Sequence, residues 1–67
     1  MIPDIDIWRS AQVMVKRYGQ DAALEAAQRA DAMLDEGDTD GFTIWQRITA
    51  AVEELLRQKP AQGEGVH

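Results

Sequence analysis

The sequence predicts an all-α fold, a three-helix bundle with helices over about 5–18, 21–36 and 41–58. Apolar residues recur at spacings of three and four in three separate segments, which is the period of an amphipathic helix. Strand-like alternation of apolar and polar residues is absent. Gly19 and Gly37 stand where the first two segments end, and glycine is the usual residue just past a helix C-terminus.

The first helix has an acidic start and a basic end, as the helix dipole favours. We expect Asp4 to be its N-cap and Gly19 to adopt the left-handed conformation that ends it. Three basic residues, Arg9, Lys16 and Arg17, form a small positive patch that we interpret as a solvated face. The predicted apolar stripe consists of Ile7, Trp8, Ala11, Met14, Val15 and Tyr18.

The second helix is dominated by alanine and other strong helix formers. It is predicted to start near Gln20 and Asp21 and to end at Gly37. Its alanine-rich face should let a neighbouring helix approach to about 8 Å. The short polar link that follows predicts that helices 2 and 3 are antiparallel neighbours. The predicted face consists of Ala23, Ala26, Ala27, Ala30, Met33 and Leu34.

The third helix carries the clearest pattern. Asp38, Thr39 and Asp40 precede it and offer oxygen acceptors for the free amides of its first turn. Pro60 cannot continue the hydrogen-bond ladder, so we expect the helix to end at about Gln58. Its predicted apolar stripe consists of Ile44, Trp45, Ile48, Val52 and Leu55.

Two acid–base pairs at i,i+4 spacing are predicted to support the helices. Glu25 stands four residues before Arg29, and Glu53 stands four residues before Arg57. Such surface pairs contribute only about 0.3 to 0.5 kcal/mol each.

Length and composition bound the function. A chain of 67 residues without cysteine forms one domain, predicted over 1–59, with a thin core and a flexible tail over 60–67. The acidic N-terminus is unlike a secretory signal, and no apolar run approaches the roughly 20 residues of a membrane span, so we expect a cytoplasmic protein without membrane contact. A formal charge of −5 argues against direct nucleic-acid binding.

Several segments together resemble a known family. They are Arg29-Ala-Asp-Ala-Met-Leu, Gly37-Asp, Trp45-Gln-Arg-Ile, Ala51-Val-Glu-Glu-Leu and Gly63-Glu-Gly-Val-His. The chain resembles, over most of its length, a family of short uncharacterised helical proteins of alphaproteobacteria. The resemblance implies a bacterial cytoplasmic protein. It supplies no activity, cofactor or catalytic residue.

The segment 36–41 is the only one with the pattern of a metal site. It places acidic residues at positions 1, 3 and 5 and glycine at position 6, as an EF-hand calcium loop does. Position 12, however, is Arg47, where the calcium loop needs a bidentate Glu. We therefore predict a capped turn, and keep divalent-metal binding through this loop as a third hypothesis.

Catalytic residues are not predicted, and neither is a cofactor. Ser10 and Tyr18 have no histidine nearby in the sequence, and the single histidine, His67, is the last residue of a glycine-rich tail. Glu53 and Glu54 are adjacent on a helix and point in different directions, which is unsuitable for paired-carboxylate catalysis. An enzyme is therefore not expected.

The main hypothesis is a non-enzymatic protein-interaction or regulatory module that forms a homodimer and binds an unidentified protein partner. A thin core leaves part of the apolar surface uncovered. We expect the interface to involve Ile7, Trp8, Trp45 and Leu56. The alternative is an acidic inhibitor or nucleic-acid mimic that occupies a basic site on another protein.

Overall fold

The computed structural model describes the backbone of residues 4–65 and the side chains of residues 4–57. Over this range the chain is all-helical, without a β-strand, as predicted. Its elements are α1 (Asp4–Tyr18), a 3-10 turn (Gly19–Asp21), α2 (Ala22–Asp35) and α3 (Thr39–Gly65).

The end of α1 follows from one glycine. Gly19 has φ 58°, a left-handed value that residues with a side chain rarely adopt, as predicted for this position. The 3-10 turn then leads directly into α2, and Asp21 precedes α2 without a capping hydrogen bond from its side chain. This connection is short enough to keep α1 and α2 in contact.

The α2–α3 connection is a Schellman motif followed directly by a helix cap. Gly37 has φ 80°, and its N–H donates to the Leu34 carbonyl while the Asp38 N–H donates to the Met33 carbonyl. The Asp38 carboxylate then accepts from the Gly41 N–H at 2.8 Å, so Asp38 is the N-cap of α3. The two helices are thereby joined through three residues, and their packing is the most extensive in the molecule.

The core is built largely from small side chains. Among the described residues Val52 is the largest side chain that is fully buried, and α2 contributes only alanines. Tyr18, Trp45 and Leu56 are partly buried against this cluster. The buried residues are Ile7, Ala11, Met14, Ala22, Ala26, Ala30, Ile48, Ala51 and Val52.

Three sequence-based predictions need correction. The first residue of α1 is Asp4 itself, and its carboxylate accepts a hydrogen bond from Arg47. Arg57 pairs with Glu54 at 3.0 Å rather than with Glu53, because residues three apart are also neighbours on a helix. The backbone of α3 continues past Gln58 to Gly65.

Pro60 lies inside α3. The proline ring fixes φ near −65°, a helical value, but it removes one hydrogen bond and crowds the carbonyl four residues earlier, so this position is unfavourable for a helix. The side chains of 58–65 lie outside the described residues, and so do Val66 and His67. The predicted flexibility of the tail 60–67 therefore stays a prediction.

Candidate functional site

A shallow groove runs between α1 and α3. Its volume is about 360 Å³, and Trp8 forms one wall with 40% of its surface exposed. Ala50 and Ala51 form the floor of the groove on the α3 side, because their side chains end at Cβ and do not fill it. The groove therefore presents an aromatic wall beside a small-residue floor, a shape that can receive an apolar side chain from another molecule. Its lining residues are Asp4, Ile7, Trp8, Arg47, Ala50, Ala51 and Glu54.

An ion pair marks the polar end of this groove. Arg47 Nη2 donates to Asp4 Oδ1 at 2.7 Å and so joins the first turn of α1 to the middle of α3. The side chains are 40% and 80% exposed respectively. At such exposure water screens the attraction, so the pair orients the groove rim more than it stabilises the fold.

The residues of the predicted interface are divided by the structure. Ile7 is buried at 4% exposure, and Trp45 and Leu56 are partly buried against the core. Of the four, Trp8 is the exposed residue. Three of the four residues predicted for the interface thus pack between helices of the same chain. Participation of the four residues in binding stays a prediction.

A cation–aromatic cluster that the sequence did not predict joins all three helices. The Arg29 guanidinium carbon lies 5.7 Å from the centre of the Tyr18 ring and 5.5 Å from that of Trp45. Arg29 also donates to the Tyr18 hydroxyl and to Glu25, each at 3.3 Å. The hydrogen bond to Tyr18 raises the pKa of Arg29. The predicted Glu25–Arg29 pair is confirmed, but periodicity gave no sign of its aromatic partners.

The segment 36–41 contains the residues that follow the end of α2 and the first residues of α3. Thr39 already belongs to α3, so the later positions of an EF-hand loop would fall within a helix and could not surround an ion. The Asp38 carboxylate is engaged with the Gly41 N–H. Within residues 4–57, no group of three or more acidic or imidazole side chains is arranged to hold a metal ion.

The residues weighed for catalysis remain separate. The Tyr18 hydroxyl accepts from Arg29, which is the interaction of a packing residue. Ser10 is partly buried on α1 without a hydrogen bond to another described side chain, and His67 is outside the described residues. No nucleophile and base come together in this part of the chain.

Charge is unevenly distributed along the molecule. The segment 21–40 holds seven acidic residues and one basic residue, a formal charge of −6, whereas α1 holds two acidic and three basic residues. The protein is therefore polarised between a weakly basic first helix and a strongly acidic second helix and loop.

A second groove, of about 330 Å³, lies between α2 and α3 and is bordered by acids. Leu34 and Phe42 are its large apolar residues, while Asp31 and Glu53 are its charged ones. This groove belongs to the acidic part of the molecule.

The described helices lack the combination of length and apolar character that crossing a bilayer requires. Comparisons with protein-family models, with curated proteins and with solved structures found no match to this chain. The resemblance to short alphaproteobacterial proteins thus stays an expectation from the sequence.

Proposed function

We propose that the protein is a non-enzymatic protein-interaction or regulatory module of the cytoplasm, and that it self-associates. The observation that carries this proposal is the exposure of large apolar side chains on a very small molecule. Each side chain in this group is at least 40% exposed. They are Ile5, Trp8, Val13, Leu24 and Leu34.

The thin core supports self-association. A core from so short a chain rarely provides more than about 3 to 5 kcal/mol. Here α2 buries only alanines, and Val52 is the largest fully buried side chain among the described residues. Covering exposed apolar surface with a partner would add stability that the isolated chain lacks. In this proposal α1, α2 and α3 form one bundle over 1–59, and the tail 60–67 is flexible.

The α1–α3 groove supports binding to a further protein. An exposed tryptophan beside a small-residue floor resembles the anchor sites at which protein interfaces concentrate their binding energy. The mixed charges of Asp4 and Arg47 at the rim would give such a contact a polar border. We propose that Trp8 contacts an apolar side chain of the partner protein.

A second candidate function is favoured by the formal charge of −6 over 21–40. An acidic helix and loop could occupy a basic site on another protein and so compete with nucleic acid or another polyanion. Divalent-metal binding through 36–41 is the third hypothesis. It receives less support because Asp38 already caps α3.

Self-association is tested by sedimentation and thermal melts across a hundredfold dilution series. The proposal expects a species of twice the chain mass that dissociates on dilution, with a melting temperature that rises with concentration. A chain that remains monomeric and melts at one temperature throughout the series would contradict it.

The two partner hypotheses are separated by comparing variants in a capture experiment. A protein retained by the wild-type chain but lost with Trp8→Ala supports the interaction module. A protein that is lost instead with Asp31→Asn and Asp35→Asn, and that is displaced by nucleic acid, supports the acidic inhibitor.

A further inference from the structure

Two exposed helix faces of opposite charge lie on consecutive helices. On α1 the solvent-facing residues Arg9, Val13, Lys16 and Arg17 form the basic stripe. On α2 and the turn before it, the solvent-facing residues recur at spacings of three and four, which places them on one side of the helix. This acidic stripe consists of Asp21, Leu24, Gln28, Asp31 and Asp35.

Among residues 4–57 the charges of the two stripes are unpaired. None of the three basic and three acidic side chains forms a hydrogen bond or ion pair with another described residue. The basic stripe contains no acid, and the acidic stripe contains no base. The chain thus carries two complementary surfaces that it does not bring together itself.

Each stripe also exposes a large apolar side chain. Val13 is 57% exposed in the basic stripe, and Leu24 is 60% exposed in the acidic stripe. Neither position belongs to the core-facing side of its helix. An apolar residue flanked by charges of one sign is the composition expected of a polar interface with a small apolar centre.

We infer that the protein forms a two-fold dimer in which the basic stripe of each copy packs against the acidic stripe of the other. This inference rests on the proposed self-association and specifies the surface that performs it. α1 and α2 both pack against α3 and also contact each other, and each stripe consists of exposed residues. In the inferred dimer the two stripes of one copy meet the second copy together. A two-fold axis running along this helix pair sets α1 beside the partner's α2 twice over.

The charges favour this arrangement over the simpler ones. Pairing α1 with the partner's α1 would oppose two basic stripes, and pairing α2 with the partner's α2 would oppose two acidic stripes. The reciprocal arrangement also uses two helix–helix contacts instead of one. A stable interface needs about 800 Å² from each partner, which a single pair of short helices does not readily provide.

Trp8 lies outside this interface. Val13 follows it by five positions, which rotates the two side chains by about 140° around α1. Trp8 lines the α1–α3 groove and adjoins Arg9 only at the edge of the basic stripe. The groove therefore stays open in the dimer, and Trp8→Ala serves as a control for dimerisation.

Charge-reversed variants test the arrangement. Variant one carries Arg9→Glu and Lys16→Glu, so both its stripes are acidic. Variant two carries Asp31→Lys and Asp35→Lys, so its α2 stripe has two basic residues and one acidic residue. Each alone should show a dimer dissociation constant raised about 10- to 100-fold, because attraction at two symmetric sites becomes repulsion.

Mixing the two variants is the decisive measurement. In a mixed dimer the acidic α1 of variant one meets the basic residues of variant two's α2, while the other two stripes are unchanged. The mixture should form a one-to-one dimer by sedimentation, and added salt should dissociate it. A control with Glu36→Lys and Glu53→Lys makes the same change in net charge as variant two, but outside both stripes, and should dimerise like the wild type. Circular dichroism verifies that each variant keeps its helices.

Each contrary outcome has a distinct meaning. A monomeric wild-type chain would overturn the proposed self-association and this inference with it. A wild-type dimer that survives both reversals, or that is lost with Trp8→Ala, would overturn this inference alone. Folded variants that do not associate when mixed would overturn it as well, and so would mixed assemblies larger than a dimer. If a reversed variant does not fold, Leu24→Gln must weaken the dimer at unchanged helicity for the inference to stand.

Discussion

Replacing Trp45 by alanine should remove most of the protein's stability. Removing a fully buried tryptophan costs about 3 to 5 kcal/mol, and the partial burial of Trp45 places the expected loss at about 2 to 4 kcal/mol. The Arg29 guanidinium over the ring adds about 0.5 to 1 kcal/mol that is lost with the ring. A core of this size provides about 3 to 5 kcal/mol in total, so little stability remains.

The measurement is urea and thermal unfolding followed by far-ultraviolet circular dichroism at one protein concentration. In a domain of this length about 1 kcal/mol corresponds to roughly 4 to 8 °C, so Trp45→Ala should lower the melting temperature by more than about 10 °C.

The matched control is the other tryptophan. Trp8→Ala removes the same side chain from a position that is 40% exposed, and should cost about 1 kcal/mol or less. If the two variants are destabilised equally, or if Trp45→Ala keeps its helicity to the wild-type melting temperature, then Trp45 does not hold the three helices together.

Four further predictions concern the α2–α3 connection and the first turn of α3. Gly37→Ala should lower the free energy of unfolding, measured in urea, by about 1 to 2 kcal/mol, because φ is 80° at this position. The control Gln28→Ala changes an exposed residue of a regular helix and should not lower the free energy of unfolding. Asp38→Ala should cost about 1 kcal/mol through loss of the α3 cap, with Asp38→Asn close to wild type, and equal losses in both variants would argue against capping. Gly41→Ala should also destabilise, since an added Cβ would lie 2.7 Å from Asp38 Oδ2; a gain in melting temperature would show that the cap rearranges freely. Calcium titration by calorimetry should reveal no saturable site tighter than about 100 μM, and a micromolar site abolished by Asp38→Asn would contradict the capped turn.

The helices could be predicted because their signals are local. Gly19 adopts the left-handed conformation expected of it, Gly37 follows the end of α2 as expected, and Asp38 provides the cap expected of the residues before the third helix. These features depend on a few neighbouring residues and on backbone sterics, which the sequence displays directly. The predicted spans of the first two helices are therefore close to the observed ones, Asp4–Tyr18 and Ala22–Asp35.

Contacts between helices were less predictable. Arg29 was expected on the exposed side of its helix beside Glu25, and nothing in the periodicity indicated that it would also reach Tyr18 and Trp45. A long side chain can place its stem along an apolar surface and its charge over two rings, so its partners depend on how the helices cross. The partner of Asp4, which is Arg47, was missed for the same reason.

Helical periodicity correctly predicts the exposure of some apolar residues and fails for others. Trp8 falls within the predicted stripe of the first helix, yet it is 40% exposed, because the small residues of α3 leave its ring uncovered. Val13 and Leu24 fall in no predicted stripe, and at 57% and 60% exposure they lie where the helical period places them. A single exposed apolar residue that is out of phase with the core is common on protein surfaces and does not by itself indicate a partner. Ile5, at 59% exposure, is a third such residue and lies in neither charged stripe. An out-of-phase apolar residue is therefore a stronger signal of a partner surface where, as at Val13 and Leu24, it lies among exposed charges of one sign.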